Sequence, residues 1–201
     1  METFLGNTNL INWRIGLIDS FRQKNEVLLP EEKAIICEFK SENRWSEFIA
    51  IRNLKEIDFP GQHIQYLTTG KPVFSDQNIE IGISHSAHWA LFAYSELPFG
   101  CDVEELRPRL STVESKFCTN AEVELFAITD RLTVLTTLWS CKESIYKLIQ
   151  VPGIHFKTQI ICQKVNQEQL LFLVNINNKS VNIACTAIQH ESAIITFATY
   201  A

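Results

Sequence analysis

The segment GCDVE at residues 100–104 and the segment WSCKESIYK at residues 139–147 reveal most about the fold and chemistry of this chain. The first alternates apolar and acidic residues, so on a strand Asp102 and Glu104 point to the same side. The second has helical spacing, which places Glu143 and Lys147 one turn apart on one face. Three carboxylates beside a lysine predict a site for Mg²⁺ and a polyphosphate.

Composition narrows the class of protein. The chain has 201 residues, 46% of them hydrophobic, which is enough for one substantial domain or two small halves with a real core. The net charge is −5, and no basic block with interleaved aromatic residues is present. We therefore expect no nucleic-acid partner, and an anionic ligand requires local positive charge.

Cysteine usage and hydropathy indicate the compartment. No pair of cysteines has C-x-x-C spacing, and no cysteine–histidine cluster has the spacing of a zinc site. The N-terminus lacks the basic start and apolar run of a signal peptide, and no apolar stretch approaches membrane-spanning length. We expect a soluble, cytoplasmic protein that does not associate with membranes.

Hydrophobic periodicity predicts mixed helices and strands. An early strand is expected from Ile11 to Leu17. Further strands are expected near 81–84, 89–95 and 99–104, and mostly strands after Thr158. Helices are expected near 30–40, 43–57, 111–117, 120–129 and 131–149. In the second of these helices Arg52 falls on an apolar stripe, a conflict that a buried anionic ligand would explain.

A weak internal repeat suggests duplication. Residues 83–93 can be laid on residues 188–198 without a gap, and Ile, His, Phe and Ala coincide. Each half also has a long helix before its strands. We therefore predict an α+β fold with two similar halves, an N-terminal half at 1–98 and a C-terminal half at 99–201.

Each motif also has a simpler interpretation. Asp102 and Glu104 could be solvated acids on a strand edge. Glu143 and Lys147 could be an exposed helix pair, worth about 0.3–0.5 kcal/mol, with Lys142 an ordinary solvated charge beside them. A lone histidine such as His85 is more often structural than functional.

Taken together, the motifs resemble the 4′-phosphopantetheinyl transferase superfamily, in its larger single-chain type with two similar halves. The segments that carry the resemblance follow the family order and span about residues 13–156. They are NRWSEFIAIR at 43–52, GKP at 70–72, SHS at 84–86, GCDVEELRPR at 100–109, FCTNAE at 117–122 and WSCKESIYK at 139–147. The chain departs from the family pattern at Cys101, usually aliphatic, and at Ile51, commonly glycine.

The resemblance implies the transfer of the phosphopantetheine arm of coenzyme A to a serine of an apo acyl or peptidyl carrier protein, releasing 3′,5′-ADP. It implies that Asp102, Glu104 and Glu143 bind Mg²⁺. Glu143 also matches a proposed general base, Lys147 a contact to the pyrophosphate, and Glu122 a further acid sometimes given a catalytic role.

The resemblance also implies coenzyme A contacts in the N-terminal half. His85, within the SHS motif with Ser84, matches a contact to the 3′-phosphate. Arg44 and Arg52 match basic positions near that phosphate, and Gly70-Lys71-Pro72 matches a loop along the adenine.

Two other functions fit the same residues: a metal-dependent phosphohydrolase, and a non-catalytic module that binds coenzyme A or a carrier protein. For a transferase, the carrier and its pathway stay open. Two halves in one chain favour a monomer. Because carrier proteins are typically acidic, we expect a local basic patch, with Arg107 and Arg109 in an exposed loop and Lys116 close behind.

Overall fold

The computed structural model describes residues 3–127, 130–167 and 169–201. The chain divides into two compact units, Met1–Leu97 and Pro98–Ala201. Each unit combines an antiparallel sheet with helices, which confirms the α+β prediction. None of the described helices is long and apolar enough to cross a membrane.

The first unit has a six-stranded sheet in the order β1-β2-β6-β5-β4-β3. Its strands are β1 (Thr3–Thr8), β2 (Ile11–Leu17), β3 (Ile64–Tyr66), β4 (Pro72–Phe74), β5 (Glu80–His85) and β6 (Trp89–Ser95). Its helices are a 3₁₀ turn (Ile18–Phe21), α1 (Pro30–Ile36) and α2 (Glu42–Asp58). The buried face of α2 packs on β2 and β6 through residues such as Ile49 and Leu54.

The second unit has a five-stranded sheet in the order β7-β11-β10-β9-β8. Its strands are β7 (Gly100–Glu105), β8 (Ile160–Val165), β9 (Leu170–Ile176), β10 (Lys179–His190) and β11 (Ala193–Tyr200). Its helices are α3 (Arg109–Phe117), α4 (Asn120–Glu124), α5 (Arg131–Ile149) and α6 (Phe156–Gln159). The long helix α5 packs on β7 and β11.

The two units share one topology. Apart from the additional edge strand β1 of the first unit, each has one strand before the long helix and four after it. The strand before the helix pairs with the last strand, β2 with β6 and β7 with β11. The repeated segments 83–93 and 188–198 lie on the corresponding hairpins β5–β6 and β10–β11. Their registers differ, because His85 pairs with Ala90 across a longer loop than the one between His190 and Ala193.

Most expected elements are present, with three corrections. The helix expected near 30–40 ends at Ile36. The helix expected at 120–129 ends at Glu124, and Ile128 and Thr129 lie outside the described residues. Leu125 to Ala127 are not helical, and α5 begins after Asp130, whose carboxylate accepts a hydrogen bond from the Thr133 N–H and caps that helix. The expected loop at Arg107–Arg109 is exposed, but Arg109 already begins α3.

Pro108 explains why α3 begins at Arg109. Pro108 occupies the position just before the first helical residue, where its missing N–H group leaves no hydrogen bond unmade. The short strands β1, β3 and β4 went unpredicted. Strand β1 has six residues, and β3 and β4 have three each. Three residues are too few for hydrophobic periodicity to identify a strand.

Close packing of α5 against β7 requires glycine at position 100. A Cβ atom there would lie 1.9 Å from the backbone oxygen of Ser144 and 2.8 Å from the backbone nitrogen of Leu148. Backbone atoms in the middle of a helix cannot move aside as a flexible side chain can. Gly100 therefore sets the separation between the strand and the helix that carry the acidic residues.

We predict that Gly100→Ala lowers the free energy of unfolding by about 3 kcal/mol, the upper end for an overpacked core. Urea denaturation with circular dichroism measures the change. Gly153→Ala is the control, because its Cβ would meet nothing within 4 Å and only its positive φ of 74° opposes the change. That control should cost about 1 kcal/mol. Equal losses in the two variants would contradict the close-packing argument.

Candidate functional site

The acidic residues of β7 lie on the face that packs against α5. Gly100 contacts the helix backbone, and Asp102 and Glu104 follow on the same side at period two. Asp102 is buried, and its carboxylate accepts hydrogen bonds from Ser140 Oγ at 2.9 Å and Lys147 Nζ at 2.8 Å. The structure thus brings the strand carboxylates to the helix that carries Lys147.

Glu143 and Glu104 are difficult to ionise. Burial, followed by repulsion from Asp102, raises the pKa of Glu143 to about 7. Burial raises the pKa of Glu104 to about 6, against the opposing attraction of Arg107. Burial alone would lower the pKa of Lys147, but the charge and hydrogen bond of Asp102 outweigh it and raise that pKa. A cluster of carboxylates that repel each other favours a cation between them.

The present arrangement supplies that positive charge from side chains. Lys147 pairs with Asp102, and Arg107 Nη2 pairs with Glu104 Oε1 at 2.8 Å. Among residues 3–127, 130–167 and 169–201, no group of three or more histidine, cysteine, aspartate or glutamate side chains is arranged to hold a metal ion. The donor set still suits Mg²⁺ by its chemistry, since all three acids offer carboxylate oxygens.

A network of hydroxyl groups fixes α5 on the sheet. Ser144 Oγ lies 2.5 Å from Thr196 Oγ1 of β11, and Ser140 Oγ lies 2.9 Å from the same oxygen. Thr196 Oγ1 also donates to the Ser140 backbone carbonyl at 2.9 Å. Because Ser140 also donates to Asp102, the network orients that carboxylate.

Glu122 lies in a different set of contacts. Its carboxylate accepts hydrogen bonds from Lys142 Nζ at 2.7 Å, from the Cys162 N–H at 2.9 Å and from the Thr119 N–H at 2.9 Å. Lys142 also donates to the backbone carbonyls of Phe117 and Phe156. Glu122 and Lys142 therefore tie together α3, α4, α5, α6 and β8, and these hydrogen bonds of Glu122 go to groups other than the acids around Lys147.

Lys142 contradicts the alternative in which it is an ordinary solvated charge beside an exposed helix pair. It is fully buried rather than solvated, and burial lowers the pKa of its ammonium despite the opposing Glu122 charge. All three of its N–H donors have an oxygen partner. The available signal was its position four residues after Leu138, on the edge of the apolar stripe of α5.

An apolar groove adjoins the acidic cluster through Trp139. Trp139 lies near enough to Glu104 to lower the pKa of that carboxyl group slightly, and its ring packs at 5.2 Å from Phe117 and 5.6 Å from Phe156, centroid to centroid. The groove has a volume of about 410 Å³ and is lined by Val113, Lys116, Phe117, Trp139, Ile154, His155 and Phe156. A partner or substrate group could thus contact apolar surface next to the carboxylates.

In the first unit, Arg52 forms an ion pair with a carboxylate of the protein itself. Arg52 Nε lies 3.0 Å from Glu32 Oε1, and both side chains are buried. The guanidinium carbon lies 3.7 Å from the centre of the Phe48 ring, and Nη1 is 3.3 Å from the Tyr66 hydroxyl. Glu32 on α1 therefore accounts for an arginine on the apolar stripe of α2.

Arg52 and Arg44 line one cavity. Its volume is about 530 Å³, and its remaining walls are Ile35, Phe39, Phe48, His63, Ile64, Gln65 and Tyr66. Arg44 is exposed, with its guanidinium carbon 5.9 Å from the centre of the Phe39 ring. Cationic and aromatic groups together suit a planar, anionic ligand.

The other sequence-predicted contacts of this unit lie on and between the strands. The Gly70-Lys71-Pro72 segment turns from β3 into β4, with Gly70 at a φ of 85°, and Lys71 forms an ion pair with Glu80. Ser84 is buried in β5, and His85 ends that strand with Nε2 3.5 Å from Glu47 Oε2 of α2. Lys71 and His85, like Arg52, thus have a carboxylate neighbour.

Comparison with known proteins points to one family. The family model of the 4′-phosphopantetheinyl transferase superfamily matches residues 98–198, which contain the acidic cluster. The chain is 35% identical over 82 residues to 4′-phosphopantetheinyl transferase ffp of Bacillus subtilis, and 30% identical over 82 residues to 4′-phosphopantetheinyl transferase Sfp of Bacillus subtilis (strain 168). Each match covers 39% of this chain and 37% of the relative, so the chain spans well under half of these curated relatives.

We predict that Glu143→Gln stabilises the fold more at pH 8 than at pH 5. The pKa of Glu143 is about 7 in the folded chain against an ordinary 4.5, so the native state binds the proton more tightly. Native stability therefore falls as pH rises from 4.5 to 7, and the penalty is complete above pH 7. Glutamine carries no such penalty.

Thermal denaturation of the two proteins at both pH values measures the difference. Glu124→Gln is the control, because Glu124 is exposed on α4. A melting temperature for Glu143→Gln at or below that of the unmodified chain at pH 8 would contradict the electrostatic account of the cluster.

Proposed function

Because the chain belongs to the 4′-phosphopantetheinyl transferase superfamily, we propose that it transfers the 4′-phosphopantetheine arm of coenzyme A to a serine of an apo acyl or peptidyl carrier protein, with release of 3′,5′-ADP. The observation that carries this proposal is the cluster of Asp102, Glu104, Glu143 and Lys147 inside the matched segment 98–198. A phosphoryl transfer needs positive charge against the pyrophosphate and a base for the attacking hydroxyl, and the cluster offers groups for both.

The residues divide these tasks. Asp102, Glu104 and Glu143 would hold Mg²⁺, which when bound offsets charge on the pyrophosphate leaving group. Lys147 would donate hydrogen bonds from Nζ to pyrophosphate oxygens. Glu143 approaches the same cluster from α5, and we assign it the role of general base that accepts the proton of the carrier serine.

The bond changes are those of a simple displacement. The serine oxygen forms a bond to the phosphorus that bears pantetheine, while its proton passes to Glu143. The bond from that phosphorus to the bridging oxygen breaks, and 3′,5′-ADP departs with the electron pair. We assign Glu122 to the support of α5 through Lys142, on the strength of its hydrogen bonds.

The first unit supplies the coenzyme A contacts in this proposal. Arg44 and Arg52 line an aromatic cavity suited to the adenosine 3′-phosphate and base. His85 and the buried Ser84 end β5, and Gly70-Lys71-Pro72 is the turn before β4. We also propose that the protein acts as a monomer in the cytoplasm, which the two similar units and six free thiols support.

We predict that the chain modifies an apo carrier protein in the presence of coenzyme A and Mg²⁺. The measurement is the mass gained by each member of a panel of fatty acid, polyketide and nonribosomal peptide carriers. Asp102→Asn and Glu143→Gln should each lower the rate about a hundredfold, because a lost ligand or base costs about 3 kcal/mol of transition-state stabilisation. Glu124→Gln should match the unmodified chain.

Other outcomes distinguish the alternatives. Full transfer in excess chelator would contradict the metal assignment. Release of phosphopantetheine from coenzyme A without a carrier would indicate a phosphohydrolase. Binding of coenzyme A and carrier without any transfer would indicate a non-catalytic module.

We predict that Arg109 and Lys116 attract the carrier. Both are exposed on α3, and Lys116 also lines the apolar groove beside Trp139. Arg107 is left unchanged, because it pairs with Glu104 and its reversal would disturb the acidic cluster. Changing Arg109 and Lys116 to Glu should raise KM for an acidic carrier about tenfold at low salt and leave KM for coenzyme A within twofold.

The matched control changes Lys164 and Lys179 to Glu, two exposed residues of β8 and β10. The effect on the carrier KM should shrink at high salt, since exposed charges are screened. Equal carrier KM values for the test and control variants at low salt would contradict this docking surface.

A further inference from the structure

Of the four basic side chains in the first unit that are proposed to contact coenzyme A, three have a carboxylate neighbour in that unit. Arg52 pairs with Glu32, Lys71 with Glu80, and His85 approaches Glu47. Arg44 has no carboxylate partner among the residues that the structure describes; its neighbour is the ring of Phe39. The positive charges of Arg52 and Lys71 are therefore compensated by carboxylates of the unit itself.

The Arg52–Glu32 pair is the most firmly built of the three. Its side chains are 2% and 0% exposed, and the Arg52 guanidinium is packed against Phe48 on one face. Separating a buried ion pair is costly, because each charge would lose a counter-charge in a poorly solvated place. An incoming phosphate would have to share Arg52 with Glu32 and would repel that carboxylate.

Glu32 cannot swing away to make room. Its second oxygen, Oε2, accepts a hydrogen bond from the Leu29 N–H at 3.2 Å, which closes the first turn of α1. Pro30 at the start of that helix further limits the backbone. The carboxylate is thus fixed against Arg52 by its own helix.

From this geometry we infer that Glu32 is a specificity-determining residue: by neutralising Arg52 it weakens recognition of the 3′-phosphate, so the protein accepts 3′-dephospho-coenzyme A nearly as well as coenzyme A. The inference rests on the proposed function, because it concerns the same coenzyme A contacts. Arg44 and the partly exposed His85 are left as phosphate contacts, and exposed contacts of this kind add up to about fivefold in affinity. An Arg52 side chain without a carboxylate partner would raise the affinity for a 3′-phosphate about tenfold to a hundredfold.

The test compares the dissociation constants of coenzyme A and 3′-dephospho-coenzyme A by calorimetry at one fixed salt concentration. The unmodified chain should prefer coenzyme A by no more than about fivefold. Glu32→Gln keeps the shape of the side chain and removes its charge, so the preference should rise by about tenfold. Glu31→Gln makes the same charge change on the same helix, at an exposed position, and should leave the ratio unchanged.

Each outcome of this comparison supports or overturns the inference about Glu32. A tenfold or larger preference in the unmodified chain would overturn the inference, and this comparison needs no variant, so it holds even if Glu32→Gln fails to fold. A folded Glu32→Gln variant with an unchanged ratio would overturn the role of Glu32. If neither ligand binds, the proposed function itself fails, whereas binding of both ligands with a large preference overturns this inference alone.

Discussion

The packing of the second unit depends on the close approach of helix α5 to strand β7. At Gly100 the backbone of α5 comes so near to β7 that no side-chain carbon fits between them. Small hydroxyl residues continue this contact, with Ser140 and Ser144 of α5 bonded to Thr196 of β11. The absence of bulk along this line lets Asp102 reach groups on the helix, so the acidic cluster is a direct result of tight packing.

The cluster and its support work against each other energetically. Burial and like charge make Glu143 and Glu104 hard to ionise, which is unfavourable for the folded chain at neutral pH. Lys142 directly precedes Glu143 on α5, pairs with Glu122, and has an oxygen partner for each of its three N–H donors. A well-bonded charge pair thus holds in place the helix on which an unfavourable set of charges is assembled.

Local pattern predicted much of this arrangement. Alternation in β7 placed Asp102 and Glu104 on one face, and helical spacing placed Glu143 beside Lys147. The partners of charges were not predictable in the same way. Glu32 lies twenty residues before Arg52, and Glu122 lies twenty before Lys142, on different helices. Periodicity assigns a residue to a face of its own element and says nothing about which distant element covers that face.

The number of reactive cysteine thiols differs between folded and unfolded molecules of this chain. Cys37 follows α1 and is exposed, while the other five thiols are buried. Burial raises the pKa of Cys101 and Cys162 to about 12 and that of Cys118 to about 11, so these thiols stay protonated and unreactive at neutral pH. An alkylating reagent therefore modifies the native protein at one position, and every further modification records a molecule whose interior has opened.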